Sequence, residues 1–433
     1  MNKLLLTALT IAALAPAARA ASVAGDGDWI SRAAATAARQ LALQADEVPA
    51  PGVFPRNLNT DFSIPDLEWH LEIPCSEFKP ECDLREHPGK DNYMKVRYVK
   101  PRDWTSGFFP GSLWLAYELT GDKALKEQAA KYTNMLLPVS YMTDTHDLGF
   151  MVNCPYGNAQ RLSPNDSIKE VIVRTADNLI GRFDPKVGAI RSWDFGPWNY
   201  PVIIDNMMNL QLLFNASRIT GDKKYTDIAV RHALKTIDHH FRPDYTSYHV
   251  VSYTPDGGVE RRQTFQGKAD ESAWSRGQGW ALYGYTEAYR ETRRPEFLRQ
   301  AEAIADMIIK RNNTEDLIPY WDFDAKPSPR SPRDASAAAV IASGLLELST
   351  FAKNGTAYRD YAERILTSLA SPAYLAEPGT NGGFVLKHST GSLPHGSEID
   401  TPLNYADYYF LEALTRLRRL QQGKPAADWA RVK

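Results

Sequence analysis

Hydrophobic positions recur at helical spacing over long stretches of this chain, and short polar turns interrupt them. "LWLAYELTGDKALKEQAAKYTNML" around Gly121 and "LQLLFNASRITGDKKYTDIAVRHALKTI" around Gly221 share one pattern: helix, Thr-Gly-Asp-Lys turn, helix. Each predicts an antiparallel helical hairpin, with glycine as the C-cap and aspartate opening the next helix. Weaker copies follow in "WALYGYTEAYRETRRPEFLRQAEAIADMIIKR", turning near Arg293, and in "AAAVIASGLLELSTFAKNGTAYRDYAERILTSLAS", turning at Asn354 and Gly355. Further helices are predicted near Trp29 to Leu43, in "PNDSIKEVIVRTADNLIGRF" on an Asp or Ser cap, and in "NYADYYFLEALTRLRRLQQ".

Together these make roughly six hairpins at intervals of about 50 to 70 residues, a repeat that forms either an open solenoid or a closed ring. Long connections rich in Trp, Gly, Asp and His, Thr143 to Asn158 and Ile190 to Asp205, favour the ring. The expected fold is all-α, an (α/α)6 barrel forming a single domain over residues 25–425. In such a ring the inner helices start around one mouth, where the loops converge. The stretch Asp46 to Arg102 has little period and reads as a long loop or short strands packed on the barrel.

Composition changes this picture only at the N-terminus. "MNKLLLTALTIAALAPAARA" has a basic start, an apolar run from Leu4 to Leu14 and small residues before Ala20, the pattern of a secretory signal peptide over residues 1–20. The apolar run is too short for a membrane span, which needs about 20 residues, and nothing later resembles one. The expected location is therefore the periplasm, with release from the cell as the alternative. The formal charge of −2 becomes −4 once Lys3 and Arg19 are removed, and no basic stripe is present, so a nucleic-acid partner is not expected. Cys75 and Cys82 are close enough to pair in an oxidising compartment, and Cys154 reads as a buried thiol.

The nine histidines show no metal-ligand spacing, and no nucleophile elbow, P-loop or dinucleotide fingerprint appears, so neither metal nor cofactor is expected. What remains is carboxylates among aromatics. Asp147 lies in a long connection beside His146, and Asp205 ends an apolar strand-like run and precedes an apolar helix. Capping is the bland reading of each. An acid wedged between Ile204 and a Met-Met pair is, however, expected to be desolvated, the condition a general acid near neutral pH requires. Around them Trp104, His146, Trp193, Trp198, His249, Gln266, Trp274, Arg276 and Trp280 fall at loop-to-helix junctions. Aromatic faces stack on sugar rings, and Arg, Gln and His donate to hydroxyls and carboxylates.

Five segments in order, "DWTSGFFPGSLWLAYELTGD", "HDLGFMVNCPYGN", "IIDNMMNL", "FQGKADESAWSRGQGWALYGY" and "GSEIDTPLNYADYYFLEAL", resemble the unsaturated glucuronyl hydrolases of glycoside hydrolase family 88. The resemblance covers about residues 100 to 415. It implies an (α/α)6 barrel acting on oligosaccharides that polysaccharide lyases leave with a 4,5-unsaturated uronic acid at the non-reducing end. It also implies Asp147 and Asp205 as catalytic residues, with Trp104, His146, Trp193, His249, Gln266, Trp274, Arg276 and Trp280 lining the substrate. In this reading Arg276 meets the uronate carboxylate, while Trp280, one turn on, is wall or core. "LKHSTGSLPHGSEID" resembles the region that recognises the second sugar and its sulfate groups in relatives. Ser389 and Ser392 are in place, Pro394 stands where some sulfate-accepting relatives have lysine, and Lys387 and His388 are nearby substitutes. A related hydrolase acting on unsaturated galacturonyl-rhamnose fragments and a non-catalytic periplasmic sugar-binding protein are the competing readings.

Overall fold

The computed structural model describes residues 27–59, 94–327 and 331–429. The expected signal peptide at 1–20 and the Cys75–Cys82 pair lie outside the described residues.

Twelve α-helices are present among the described residues, and they alternate between two rings. The outer ring holds α1 (Gly27–Glu47), α3 (Lys123–Asn134), α5 (Asp166–Ile180), α7 (Lys224–His240), α9 (Pro295–Arg311) and α11 (Gly355–Leu369). The inner ring holds α2 (Phe108–Thr120), a widened π-helical segment (Gly149–Gly157) continued by α4 (Asn158–Leu162), α6 (Asn206–Thr220), α8 (Ser275–Thr292), α10 (Ala335–Leu348) and α12 (Asn404–Gln421). Each inner member packs on the next, and α12 returns to α2, so the ring closes.

Burial explains which helix goes where. In α9 the buried positions are Phe297, Gln300, Ala301, Ile304, Ala305, Met307 and Ile308, a single stripe at three- and four-residue spacing. In α10 every residue from Ala335 to Leu348 is buried. A helix with no polar face has to be surrounded, and only the inner ring supplies neighbours on all sides.

The hairpin turns behave as their residues dictate. Gly121 and Gly221 are left-handed at φ 76° and 73°, and their amides close onto Tyr117 O and Ser217 O. Asp122 and Asp222 then accept the amides of Ala124 and Lys224, each at 2.9 Å. Two expectations need correction. The cap of α5 is Asn165, which accepts from Ile168 N at 3.0 Å, not Asp or Ser. The stretch read as a loop through Asn158 is instead the start of an inner helix, where Pro155, lacking an amide hydrogen, sits inside the widened turns.

Short turns join inner to following outer helices at one end, and long connections gather at the other, where the inner helices begin. The first carries strands β1 (Phe54–Leu58) and β2 (Val96–Val99), paired antiparallel. The others include β3 (Phe183–Asp184) with β4 (Ala189–Ile190), and β5 (Pro201–Ile203), β6 (Val250–Tyr253) and β7 (Val259–Gln263) in one antiparallel sheet. The barrel axis is filled beneath this mouth by Phe108, Phe150, Trp280 and Tyr409, with ring centroids 5.3 to 6.0 Å apart along the stack. Towards the far end, buried Arg416 reaches Tyr283 and Glu347, and half-buried Arg290 joins Glu347 to Glu287. Cys154 is a free, buried thiol. Among the described residues, no helix is long and apolar enough to cross a membrane.

Candidate active site

A cavity of about 500 Å³ opens at the mouth, and its walls come from five of the long connections. Asp147 and Asp205 both line it. Neither is a cap: Asp205 precedes α6 but makes no side-chain hydrogen bond to its first turn, and the Asp147 carboxylate accepts from the Thr145 hydroxyl at 3.0 Å. Their two segments approach closely at Gly149 and Asn209. Gly149 lies so close to α6 that a β-carbon there would sit 2.6 Å from Asn209 Cα. Asn209 Oδ1 in turn accepts the Phe150 amide at 2.9 Å.

Each carboxylate has its own histidine. His146 Nε2 stands 3.3 Å from Asp147 Oδ1, and His249 Nε2 stands 3.5 Å from Asp205 Oδ2. The His249 tautomer follows from its other nitrogen. Nδ1 accepts the backbone amides of Phe265 and Gln266 at 3.0 and 3.1 Å, so the ring proton of the neutral tautomer is on Nε2, the nitrogen nearer Asp205, without closing a hydrogen bond to it. Burial lowers the His146 pKa, which keeps that ring neutral near pH 7 despite the two aspartates beside it. Burial raises the Asp147 carboxyl above the ordinary carboxylate range, and the charge of Asp205 adds to the shift, against His146 and Thr145. Asp205 is buried too, as expected of an acid between Ile204 and a Met-Met pair.

One side of the cavity is aromatic. Trp193 stacks on Phe195 with centroids 4.9 Å apart and packs on Phe265 at 5.0 Å, and Phe265 contacts the His395 ring at 4.3 Å. Across the cavity Trp104 rests on Phe108, Phe150 and Tyr405 as the top of the axial stack. Phe195, Phe265 and His395 were missed by sequence reasoning. Phe265 was the detectable one, adjacent to Gln266 in the same aromatic stretch. The rim adds Arg56, which holds Asp103 at 2.6 Å and both oxygens of Glu398.

The expected site residues therefore divide. Trp104, Asp147, Trp193, Asp205, Gln266 and Ser392 line the cavity. His146 and His249 stand directly behind the carboxylates. Trp198 is buried behind Trp193, with Nε1 donating to Gln263 Oε1 at 2.9 Å. Trp274 is buried against His249, with centroids 4.6 Å apart. Trp280 belongs to the axial core, and Ser389 is fully buried at the base of its loop. Arg276 does not present its guanidinium to the cavity in this structure. It is buried in an ion pair with Asp334 at 2.8 Å and donates to the carbonyls of Thr390 and Gly391. Its Nε is buried without a hydrogen-bond partner.

A closed (α/α)6 ring whose one cavity wall is stacked aromatics and whose base carries coupled carboxylates defines a carbohydrate-cleaving enzyme. The sequence comparison agrees in detail. The family described as Glycosyl Hydrolase Family 88 matches residues 85–423, and the chain belongs to that family as a glycoside hydrolase. An unsaturated glucuronyl hydrolase of Formosa agariphila is 49% identical over 330 residues, 75% of this chain and 82% of that protein. An unsaturated chondroitin disaccharide hydrolase of Streptococcus pyogenes is 33% identical, covering 76% and 84%. Among solved structures, an unsaturated glucuronyl hydrolase specific for heparin superposes with a TM-score of 0.81 at 47% identity, covering 91% of this chain and 98% of that one.

Proposed function

We propose that this chain is an exported hydrolase, a single catalytic domain over residues 25–425, that removes the 4,5-unsaturated uronic acid from the non-reducing end of lyase-generated glycosaminoglycan fragments. The observation that carries the reading is the pair of carboxylates on one cavity floor, Asp147 raised by burial and Asp205 faced by the Nε2–H of His249. Heparin- and chondroitin-type disaccharides are the substrates of choice for testing, given what the relatives act on. The signal-peptide pattern at residues 1–20 supports export to a periplasm.

The substrate's double bond makes its ring an enol ether, so the reaction does not begin by displacement at the anomeric carbon. Asp205 delivers its proton to C4, and positive character develops at C5 and the ring oxygen. The carboxylate left on Asp205 is stabilised by the His249 Nε2–H and takes a proton from the water that adds to C5. The hemiketal so formed opens, and the glycosidic bond is lost in the rearrangement. Asp147 lines the same cavity, its carboxyl held above the ordinary carboxylate range chiefly by burial. Proton transfer from a positioned acid contributes about 10²- to 10⁴-fold in rate.

Incubation with unsaturated heparin and chondroitin disaccharides should abolish the ultraviolet absorbance of their conjugated double bond. Persistence of that absorbance with every uronate tested would refute the reading.

A further inference from the structure

We infer that Asn206 is a positioning residue for the carboxylate pair: its side-chain carbonyl fixes the tautomer of His146, so that the His146 nitrogen facing Asp147 is the unprotonated one. Asn206 follows Asp205 in the chain and His146 precedes Asp147, and both side chains are fully buried. They meet on the segment that leads to Trp193. Asn206 Nδ2 donates to Ile190 O at 3.0 Å, the His146 amide donates to Ser192 O at 3.2 Å, and His232 Nδ1 accepts the Ile190 amide at 3.0 Å. A backbone carbonyl only accepts, so the Asn206 amide cannot turn over: its NH2 is committed to Ile190, and Oδ1 is the atom left for a neighbour. That neighbour is the His146 ring, which lies within reach of the Asn206 side chain.

Asn206 Oδ1 and His146 Nδ1 are both buried, and neither has another hydrogen-bond partner among the described residues. His146 Nε2 is already turned to Asp147, 3.3 Å from Oδ1, which leaves Nδ1 for Asn206. An amide oxygen only accepts, so the proton of neutral His146 sits on Nδ1, and Nε2 keeps its lone pair. The two histidines of the site are therefore in opposite tautomers. Nε2 of His249 carries a proton and favours charge on Asp205. Nε2 of His146 carries none and favours Asp147 as the neutral acid, whose other oxygen accepts from Thr145 at 3.0 Å. In the proposed reaction, on which this consequence rests, a neutral Asp147 does not oppose the charge that Asp205 acquires once C4 is protonated. The other charged and titratable groups around His146 and Asp147 are Asp103, Arg182, Asp205 and His232. Burial pushes the His232 pKa down to about 3, so that ring is neutral.

Neutron diffraction from wild-type crystals at neutral pH tests this without reference to activity, because it reads the ring proton directly. Deuterium on His146 Nδ1 and none on Nε2 is the expected result, and deuterium on Nε2 overturns the inference. The kinetic arm rests on the proposed function. Asn206→Ala frees His146 to move its proton to Nε2, which favours charged Asp147 and lowers its pKa, so the acid form is lost at a lower pH. The alkaline limb of kcat should therefore move down by about one pH unit, a loss of about tenfold at any pH on that limb, while KM changes less than about threefold. His232→Leu is the control for a merely structural role, because it releases the other grip on Ile190 without touching Asn206. Its alkaline limb should stay within about 0.3 pH unit of wild type. A limb that moves equally in both variants, or in neither, overturns the inference. A wild type that consumes no unsaturated disaccharide defeats the functional reading alone, and the proton position on His146 still decides this one.

Discussion

The close approach of Gly149 to α6 makes a sharp prediction, because it is the backbone contact between the segment carrying Asp147 and the helix headed by Asp205. In Gly149→Ala the new β-carbon would lie 2.6 Å from both Asn209 Cα and Oδ1 and 3.0 Å from Asn209 Cβ. Carbon contacts settle at about 3.5–4.0 Å, so the two segments must part by about 1 Å. Overpacking of this kind costs about 1–3 kcal/mol, and the gain of about 1 kcal/mol from replacing glycine in a helix offsets part of it. Stability should therefore fall by about 1–2 kcal/mol, seen as a Tm lower by a few degrees in circular dichroism. The effect on rate should be larger, because a misplacement of about 1 Å between reacting groups costs about 10²-fold. Loss of double-bond absorbance under saturating substrate measures it. The control is Gly121→Ala, at a left-handed turn with open space around it: about 1 kcal/mol of stability should be lost with kcat unchanged. A Gly149→Ala enzyme with wild-type kcat, or one no slower than the control, would refute the idea that this contact sets the carboxylate pair.

Other expectations follow from the same geometry. Asp205→Asn should lower kcat by at least about 10³-fold while leaving substrate binding by calorimetry nearly unchanged, and wild-type turnover in that variant would remove Asp205 from the chemistry. Asp147 has a folded pKa raised above its unfolded value, so its contribution to stability is full below the unfolded value near 4 and is lost as pH rises through the folded one. Asp147→Asn should thus gain in Tm relative to wild type between acid and neutral pH, with a constant difference below about pH 4; a difference that does not change with pH would contradict the burial argument. Phe265→Ala, which removes the ring joining Trp193 to His395, should raise KM by about tenfold with a smaller change in kcat, as loss of a stacking face worth about 1–2 kcal/mol requires.

Much of the fold was legible because its information is local. The Thr-Gly-Asp-Lys turns announce hairpins through a left-handed glycine and an aspartate cap, and the long connections rich in Trp, Gly, Asp and His announce a closed ring. The π-helical start of the second inner helix was not legible, since Gly149, Pro155 and Gly157 argue for a loop until neighbours on both sides enclose them. In the site, Asp147 and Asp205 were legible from ordered motifs, and their environments were not. The Arg56–Glu398 pair joins positions 342 residues apart, with no periodicity at either end. Arg276 shows a different limit. Its residue type and its place at a helix start are those of a substrate ligand, but every face of α8 over this stretch is buried, and sequence carries no sign of which neighbour takes the guanidinium.

The aromatic plug formed by Phe108, Phe150, Trp280 and Tyr409 blocks the barrel axis beneath the mouth. A polymer cannot be threaded along such an axis, and under the proposed reaction a chain terminus would have to enter from the mouth. Under the proposed reaction the trimmed oligosaccharide, lying nearest the opening, has to depart before the released monosaccharide beneath it. Throughput would then follow the number of chain ends that lyases create, not the mass of polysaccharide present.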